Sequence, residues 1–446
     1  MSRLFGTDGV RGKAGDPPLD ESTVRRLGAA LVVALRHGDE PVRFLVGRDT
    51  RESGEWIERE LARGVRSQGG ELISAGIVPT PAVAFLTPRK GFTAGLVISA
   101  SHNPFADNGI KVFSGAGEKF TEALEQRVES HMDIEAVLPP LDAPVETLDF
   151  RQEYIAHLKK ILPGDALTRG WRVAIDCANG ATTTIAPRLF QELGFDARCI
   201  GCEPDGRNIN LRCGSTAPQQ LARVVVEGGY RLGIAYDGDG DRAIFVDANG
   251  KVVDGDAVML MCAKQLKAEG RLKGNTLVAT VMSNIGLEIA LREAGIGMLR
   301  TAVGDKHVME EMLRRDLSIG GEQSGHVIFA DYLFTGDGLA TSLNVLRTMA
   351  TSGRELADLA SDLTSYPQTL VNIRVARRVG LAAVPAIAAV MSAVESRLAG
   401  QGRLLVRYSG TEPLLRVMLE GRNQAEIDAW ADEIVNAVKE HLGVGV

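Results

Sequence analysis

The stretch Gly233-Ile234-Ala235-Tyr236-Asp237-Gly238-Asp239-Gly240-Asp241-Arg242-Ala243-Ile244-Phe245-Val246 runs strand, acidic loop, strand. Its two flanks are short apolar, β-branched runs of the kind that fill a buried sheet. Between them three carboxylates stand at alternate positions with glycine as spacer. Spacers without side chains let the backbone curl so that three hard oxygens converge, which suits Mg²⁺ or Ca²⁺ rather than zinc. The plain alternative is a solvated acidic turn. An EF-hand is excluded, because Arg242 stands where that loop needs glycine and Ala248 where it needs a bidentate glutamate.

Outward from this hairpin the chain alternates helical stripes with β runs. Val24, Leu27, Leu31 and Leu35 recur at helical spacing, as do Ile57, Leu61 and Val65, while Val42 to Val46 and Gly95 to Ile98 read as strands ending in polar loops. Pro139, Pro140 and Pro144 mark a linker. Val173-Ala174-Ile175 running into Cys177-Ala178-Asn179-Gly180 opens a second unit, and the turn signal Asn249-Gly250 closes it. A third unit carries the strand Leu277 to Thr280 and the helical stretch Ile285 to Ala294, ending near Tyr366-Pro367. In the tail, paired strands around Leu404 to Val406 and Leu415 to Leu419 precede a helix with Ile427, Trp430, Ile434 and Val438 on one face. The reading is three α/β domains, with mixed sheets and helices on both faces, at residues 1–146, 147–250 and 251–366, and a C-terminal α+β domain at 367–446. No repeat is visible in the sequence itself.

Composition agrees with several soluble globular cores: 446 residues, 45% hydrophobic and 24% charged. Fifty Lys and Arg against 57 Asp and Glu leave a net charge of −7, so no global positive field draws nucleic acid or an anionic membrane. The longest apolar stretch, Leu381 to Val394, is interrupted by Pro385 and Ser392; too short to span a membrane, it reads as an Ala-rich core helix. Met1 to Gly6 lack the apolar run of a secretory signal, and five cysteines are an odd number, which together predict a cytoplasmic protein with reduced thiols. Cys199 and Cys202 form a C-x-x-C without a second pair or nearby histidine, so they read as ordinary thiols.

Three further loops carry chemistry. Ile98-Ser99-Ala100-Ser101-His102-Asn103-Pro104, followed by Asp107-Asn108-Gly109-Ile110-Lys111, is a strand running into a serine. The G-x-S-x-G elbow of an acyl hydrolase is missing, and neighbours on a turn are not expected to form the inward bond of a Ser-His pair. Arg407-Tyr408-Ser409-Gly410-Thr411-Glu412-Pro413, with Arg416 beyond, offers guanidinium forks, hydroxyls and glycine N–H groups, the donors a phosphate dianion takes. Gly320-Gly321-Glu322-Gln323-Ser324-Gly325-His326 presents a carboxylate and a hydroxyl that can bind adjacent sugar hydroxyls. Arg11, within Phe5-Gly6-Thr7-Asp8-Gly9-Val10-Arg11-Gly12, is a further candidate cation.

Order and spacing of these loops, from FGTDGVRG at 5–12 to RYSGTEPLLRVM at 407–418, resemble the α-D-phosphohexomutases over essentially the whole length. The resemblance implies four domains around a central cleft and a phosphoserine at Ser101. Ser101, Asp237, Asp239 and Asp241 are then ligands of one Mg²⁺ per chain, with Arg242 as a supporting charge. Lys111 and His326 match proton-transfer positions, and Arg11 and His102 join the catalytic set. Arg407, Ser409, Gly410 and Thr411 form a phosphate clamp; Glu322, Ser324, Arg416 and Gly304 complete the substrate contacts. The implied reaction moves a phosphoryl group between the ends of a sugar phosphate through a bisphosphorylated sugar. Gln323 favours the branch acting on glucosamine phosphates, which supplies amino-sugar nucleotides for cell-wall precursors. Phosphomannomutase or phosphoglucomutase activity is the alternative, and a metal-dependent phosphatase a more distant one. A homodimer is the assembly the resemblance suggests. Lys111 is the first choice as proton acceptor and His326 the second, on the expectation that Arg242 and Mg²⁺ loosen the lysine proton by like-charge repulsion. Tyr408 stands where many relatives carry proline, a departure expected to alter the stiffness of the clamp more than its chemistry.

Overall fold

A computed structural model of the chain describes residues 4–6, 8–134, 144–162, 168–408 and 414–443. Two units separate in it. The larger comprises Met1–Met282 and Ile296–Asp362, the smaller Ser283–Gly295 and Leu363–Val446.

Three sheets build the larger unit. The first orders its strands Val10–Lys13, Asp107–Ser114, Ala94–Ile98, Arg43–Arg48, Glu71–Ile77 and Glu146–Thr147. Ala94–Ile98 is buried at every position, as a strand covered on both faces must be. Helix Glu21–Leu35 is capped by the Asp20 carboxylate, which accepts from the Thr23 N–H at 3.0 Å. It packs on helix Gly54–Ser67 through two glycines: a Cβ at Gly64 would lie 1.9 Å from the Arg25 carbonyl oxygen, and one at Gly28 2.4 Å from that of Leu61. No other residue type allows these backbones to meet.

The second sheet orders Val252–Val253, Ala243–Asp247, Leu232–Tyr236, Arg172–Asp176 and Asp196–Ile200; the third orders Gly297–Thr301, Thr276–Thr280, Ile319–Gly321 and Val327–Phe329. All three sheets repeat one device. Ala94–Ile98 pairs in parallel with Arg43–Arg48 on one side and antiparallel with Asp107–Ser114 on the other. Leu232–Tyr236 stands likewise between Arg172–Asp176 and Ala243–Asp247, and Ile319–Gly321 between Thr276–Thr280 and Val327–Phe329. Each functional loop of this unit therefore leaves the carboxyl end of a strand at which the sheet changes from parallel to antiparallel. Open α/β sheets place ligands at that end of their strands.

In the smaller unit Gln368–Arg374, Leu414–Glu420 and Arg403–Tyr408 form an antiparallel sheet, packed with helices Pro385–Leu398 and Gln424–Leu442. The Ala-rich stretch is not a core helix throughout. Leu381–Ala383 is a separate 3₁₀ turn, and within Pro385–Leu398 only Ile387, Val394 and Leu398 are buried, because a helix lying on a three-stranded sheet covers just one stripe. Pro139 and Pro140 of the expected linker, like Ser409, Gly410 and Thr411 of the expected clamp, lie outside the described residues. No helix among the described residues is long and apolar enough to cross a membrane.

Candidate active site

The strand Ala94–Ile98 delivers Ser101 into the interior with 1% of its surface exposed and a left-handed backbone, φ +54°. Its hydroxyl donates to Asp237 Oδ2 at 2.5 Å, so the serine loop of the first sheet meets the acidic loop of the second. Ser101 Oγ also lies 3.2 Å from His102 Nδ1. That contact corrects the expectation that the two neighbours do not reach one another. Burial first, then the charges of Arg242 and Arg11, hold His102 below its ordinary value.

Asp237, Asp239 and Asp241 are all buried, and one oxygen from each lies within 4.8 Å of the others. Burial, then Asp241 and Asp239, push the Asp237 carboxyl well above the usual range. Asp239 Oδ1 and Asp241 Oδ1 are buried without a hydrogen-bond partner. Such oxygens call for a cation, and a hard all-oxygen donor set fits a divalent metal ion. Thr80 Oγ1 donates to Asp239 Oδ2 at 2.5 Å, and Gly240, at φ +70°, gives the loop its turn.

Lys111, on strand Asp107–Ser114, bridges Asp239 Oδ2 at 2.7 Å and Asp241 Oδ2 at 3.1 Å, with Asp8 Oδ2 at 3.4 Å. The protein's own groups work against the expected loosening of its proton. Burial pulls the ammonium down, but Asp239, Asp241 and Asp8 outweigh burial and the weaker repulsion of Arg11, holding Lys111 well above its ordinary value. Arg242 instead turns to the acidic loop, its Nε 3.8 Å from Asp241 Oδ1. Arg11 pairs with Asp8, and its Nε donates to the Asp8 carbonyl at 3.2 Å.

His326 opens the strand Val327–Phe329, with Nδ1 3.6 Å from Asp241 Oδ1 and Nε2 3.2 Å from Asp305 Oδ2. The Gly336 N–H also donates to Nε2 at 3.0 Å. Burial pulls the imidazole down, but Asp305 and Asp241 outweigh burial and the repulsion of Lys119, holding His326 above its ordinary value. Lys119 joins Asp305 to Asp8, which closes a ring of paired titratable groups: Lys111, Asp8, Lys119, Asp305, His326 and Asp241. Glu322 accepts from the Gly304 N–H at 3.2 Å and from Ser324 Oγ at 3.4 Å, which joins three of the expected sugar contacts.

In the smaller unit Arg407 and Arg416 are direct cross-strand partners, so two guanidinium groups extend from one rung of the sheet. Tyr408, at the departure from the family pattern, ties its hydroxyl to the Val379 backbone, accepting from N–H at 3.1 Å and donating to the carbonyl at 2.9 Å. Cys199 and Cys202 are free thiols. A hydrogen bond to Cys202, then burial, raise Cys199; contact with Cys177 is the largest cause pushing Cys202 up to about 12.

Asp49, Arg51, Asn210, Asp8, Lys119 and Asp305 were not singled out from sequence. For Asp49 and Arg51 a signal existed, charged residues directly beyond the apolar strand run Val42 to Val46. Asp8 stands inside the FGTDGVRG string; Asn210, Lys119 and Asp305 act across long separations and left none.

The chain matches the phosphoglucomutase/phosphomannomutase alpha/beta/alpha domains I, II and III over residues 2–137, 152–250 and 254–366, and the C-terminal domain over 370–437. It is 48% identical over 443 residues to a phosphoglucosamine mutase of Solibacter usitatus, covering 99% of both chains. To a phosphoglucosamine mutase of Syntrophotalea carbinolica it is 46% identical over 449 residues, covering 99% of this chain and 98% of the other. Among solved structures, a phosphoglucomutase/phosphomannomutase family protein from Burkholderia thailandensis shares the fold with a TM-score of 0.82 at 23% identity, covering 100% of this chain and 99% of that one. With four domains matched in order and close relatives aligned from end to end, the chain belongs to the phosphoglucomutase/phosphomannomutase family, among its phosphoglucosamine mutases.

Proposed function

We propose that this isomerase interconverts glucosamine 6-phosphate and glucosamine 1-phosphate by way of a phosphorylated Ser101 and a bisphosphorylated sugar. The observation that carries the reading is the buried Ser101 hydroxyl, aimed at Asp237 in the triad at 2.5 Å. In the first half-reaction a free sugar hydroxyl attacks the phosphorus on Ser101; the new O–P bond forms as Oγ–P breaks, and the hydroxyl proton passes to a base. The sugar then turns end for end, and Ser101 recovers the other phosphoryl group by the reverse chemistry.

Ser101, Asp237, Asp239 and Asp241 would hold one Mg²⁺, which when bound supplies charge neutralisation for phosphoryl transfer. The protein's own groups do the rest. Lys111 remains in the scheme as a buried positive charge against the acidic loop, since the carboxylates that clasp it make it a poor acceptor. His326, an imidazole whose ordinary value lies near neutral pH and far below that of a lysine, is the better acceptor for the sugar proton. Glu322 and Ser324 take sugar hydroxyls. Arg407 and Arg416, with Ser409, Gly410 and Thr411, take a phosphate, so that binding energy orients the sugar.

A coupled assay on glucosamine 6-phosphate tests the reading. Wild type turns over, and Ser101→Ala loses at least about 10⁴-fold, the scale on which deleting a nucleophile acts. Full-rate isomerisation by Ser101→Ala would sink the proposal. Relative kcat/KM for glucosamine, glucose and mannose phosphates tests the sugar, with glucosamine expected first.

A further inference from the structure

A residue with a Cβ holds φ near +54° only under restraint, and the restraints on Ser101 come from two directions. One is local to the first sheet. Arg51, fully buried and paired through Nε with Asp49 Oδ2 at 3.0 Å, donates through Nη2 to the carbonyls of Ser101 and Asn103, each at 3.0 Å. Its Nη1 donates to Asn103 and Pro104 carbonyls at 3.1 and 2.8 Å. Asp49 Oδ2 also accepts from Ser99 Oγ at 2.5 Å, and that oxygen accepts the Ser101 N–H at 2.9 Å. Both peptide groups of Ser101 are thereby anchored to its own sheet.

The other restraint comes from the second sheet. Asn210 Nδ2 donates to the Ser101 carbonyl at 2.9 Å and to the Asn103 carbonyl at 3.2 Å, while the Asn210 N–H donates to the Ala178 carbonyl at 2.9 Å. Gly238, next to Asp237, lies against the same point: a Cβ there would be 2.5 Å from the Ser101 oxygen and 2.8 Å from Asn210 Nδ2. The amide therefore sits where the serine loop touches the acidic loop.

We propose that Asn210 is a positioning residue for phosphoryl transfer: its side-chain amide registers the Ser101 loop on the acidic loop. The inference rests on Ser101 as the phosphoryl carrier. Arg51 keeps the serine loop folded on its own sheet, so loss of the Asn210 amide leaves the loop in place and frees only its alignment with Asp237. Misplacement of a reacting group by about 1 Å costs on the order of 10²-fold. Asn210 bonds to backbone carbonyls, so the loss falls on kcat and leaves KM in place.

The test exploits the left-handed backbone of Asn210 itself, φ +58°. Asn210→Gly keeps that conformation at no steric cost and keeps the N–H bond to Ala178, deleting only the amide. Asn210→Asp keeps the shape and turns an acceptor towards two carbonyls. Each variant is phosphorylated with glucose 1,6-bisphosphate, and the rate at which Ser101 loses its phosphate to glucosamine 6-phosphate is read by intact mass per phosphorylated chain. An unfolded fraction cannot mimic that rate. The expected result is a loss of about 10-fold or more in Asn210→Gly, a larger one in Asn210→Asp, and KM within about twofold of wild type. A wild-type rate in Asn210→Gly, or Asn210→Asp no slower than Asn210→Gly, overturns the inference. Ser101→Ala runs alongside: its activity would remove the underlying reading instead, so the two failures are distinguishable.

Discussion

The loops at Ser101 and at Glu322 leave equivalent strand ends in the same unit, yet they are built differently. Ser101 is buried, and its backbone oxygen, backbone nitrogen and hydroxyl all lie within bonds of 3.0 Å or less, to Arg51, Asn210, Ser99 and Asp237. Glu322, Gln323 and Ser324 are half-buried, and the Glu322 carboxylate is held by bonds of 3.2 and 3.4 Å. On the proposed reaction this is the required division of labour. One oxygen must stand in the same place for both half-reactions, whereas the sugar-binding groups must accept the substrate in two orientations. Rigidity belongs where bonds are broken, and slack where a ligand has to turn.

The comparison breaks most visibly at the acidic loop. Asp239→Asn, measured with saturating Mg²⁺, is expected to lower turnover about 10³-fold, the scale of removing one preorganised charge from a transition state. A loss below tenfold would show that the triad is not the metal seat. Lys111→Ala comes next, with turnover down at least about 10²-fold and a melting temperature close to wild type once the metal is bound. Unchanged turnover would remove Lys111 from the mechanism. At the adaptable end Glu322→Gln keeps the shape and weakens one charged hydrogen bond, so KM should rise about tenfold with a smaller fall in kcat. A loss confined to kcat would mean that this loop holds the reacting atoms as tightly as the serine loop does.

The smallest effect lies away from both loops and falls on stability. His157 stacks on Phe85 at 4.1 Å, and burial first, then Arg89 and Lys160, push it down to about 4 from an ordinary 6.5. A histidine depressed in the folded chain favours folding above its unfolded value and loses that contribution as pH falls from about 6.5 towards 4. Urea midpoints should therefore decline over that window in wild type and less steeply in His157→Phe. Parallel curves would dismiss the assignment.

Much of the site was legible because its chemistry is local in sequence. Asp237, Asp239 and Asp241 need only glycine spacers to converge, and Ser101 stands just beyond a strand. What stayed hidden works through space. Asn210 holds backbone carbonyls, which every residue possesses, so no pattern of side chains announces the contact. Neither the left-handed φ of Ser101 nor its approach to His102 is something a serine advertises. The charge state of Lys111 depended on which partners burial selected, and it selected three carboxylates over Arg242.

By itself the sequence determined the α/β layering, the family and the loops that bear the reactive groups, because periodicity, glycine placement and short motifs encode local geometry directly. Only the tertiary structure decided that the larger unit uses one strand arrangement three times, each loop issuing where a parallel pair meets an antiparallel one. No repeated string records this, since sheet pairing is set by backbone hydrogen bonds and buried area that many different sequences satisfy equally well. The same indifference of the backbone to side-chain identity is why the ties that aim Ser101 at Asp237 appear only once the chain has folded.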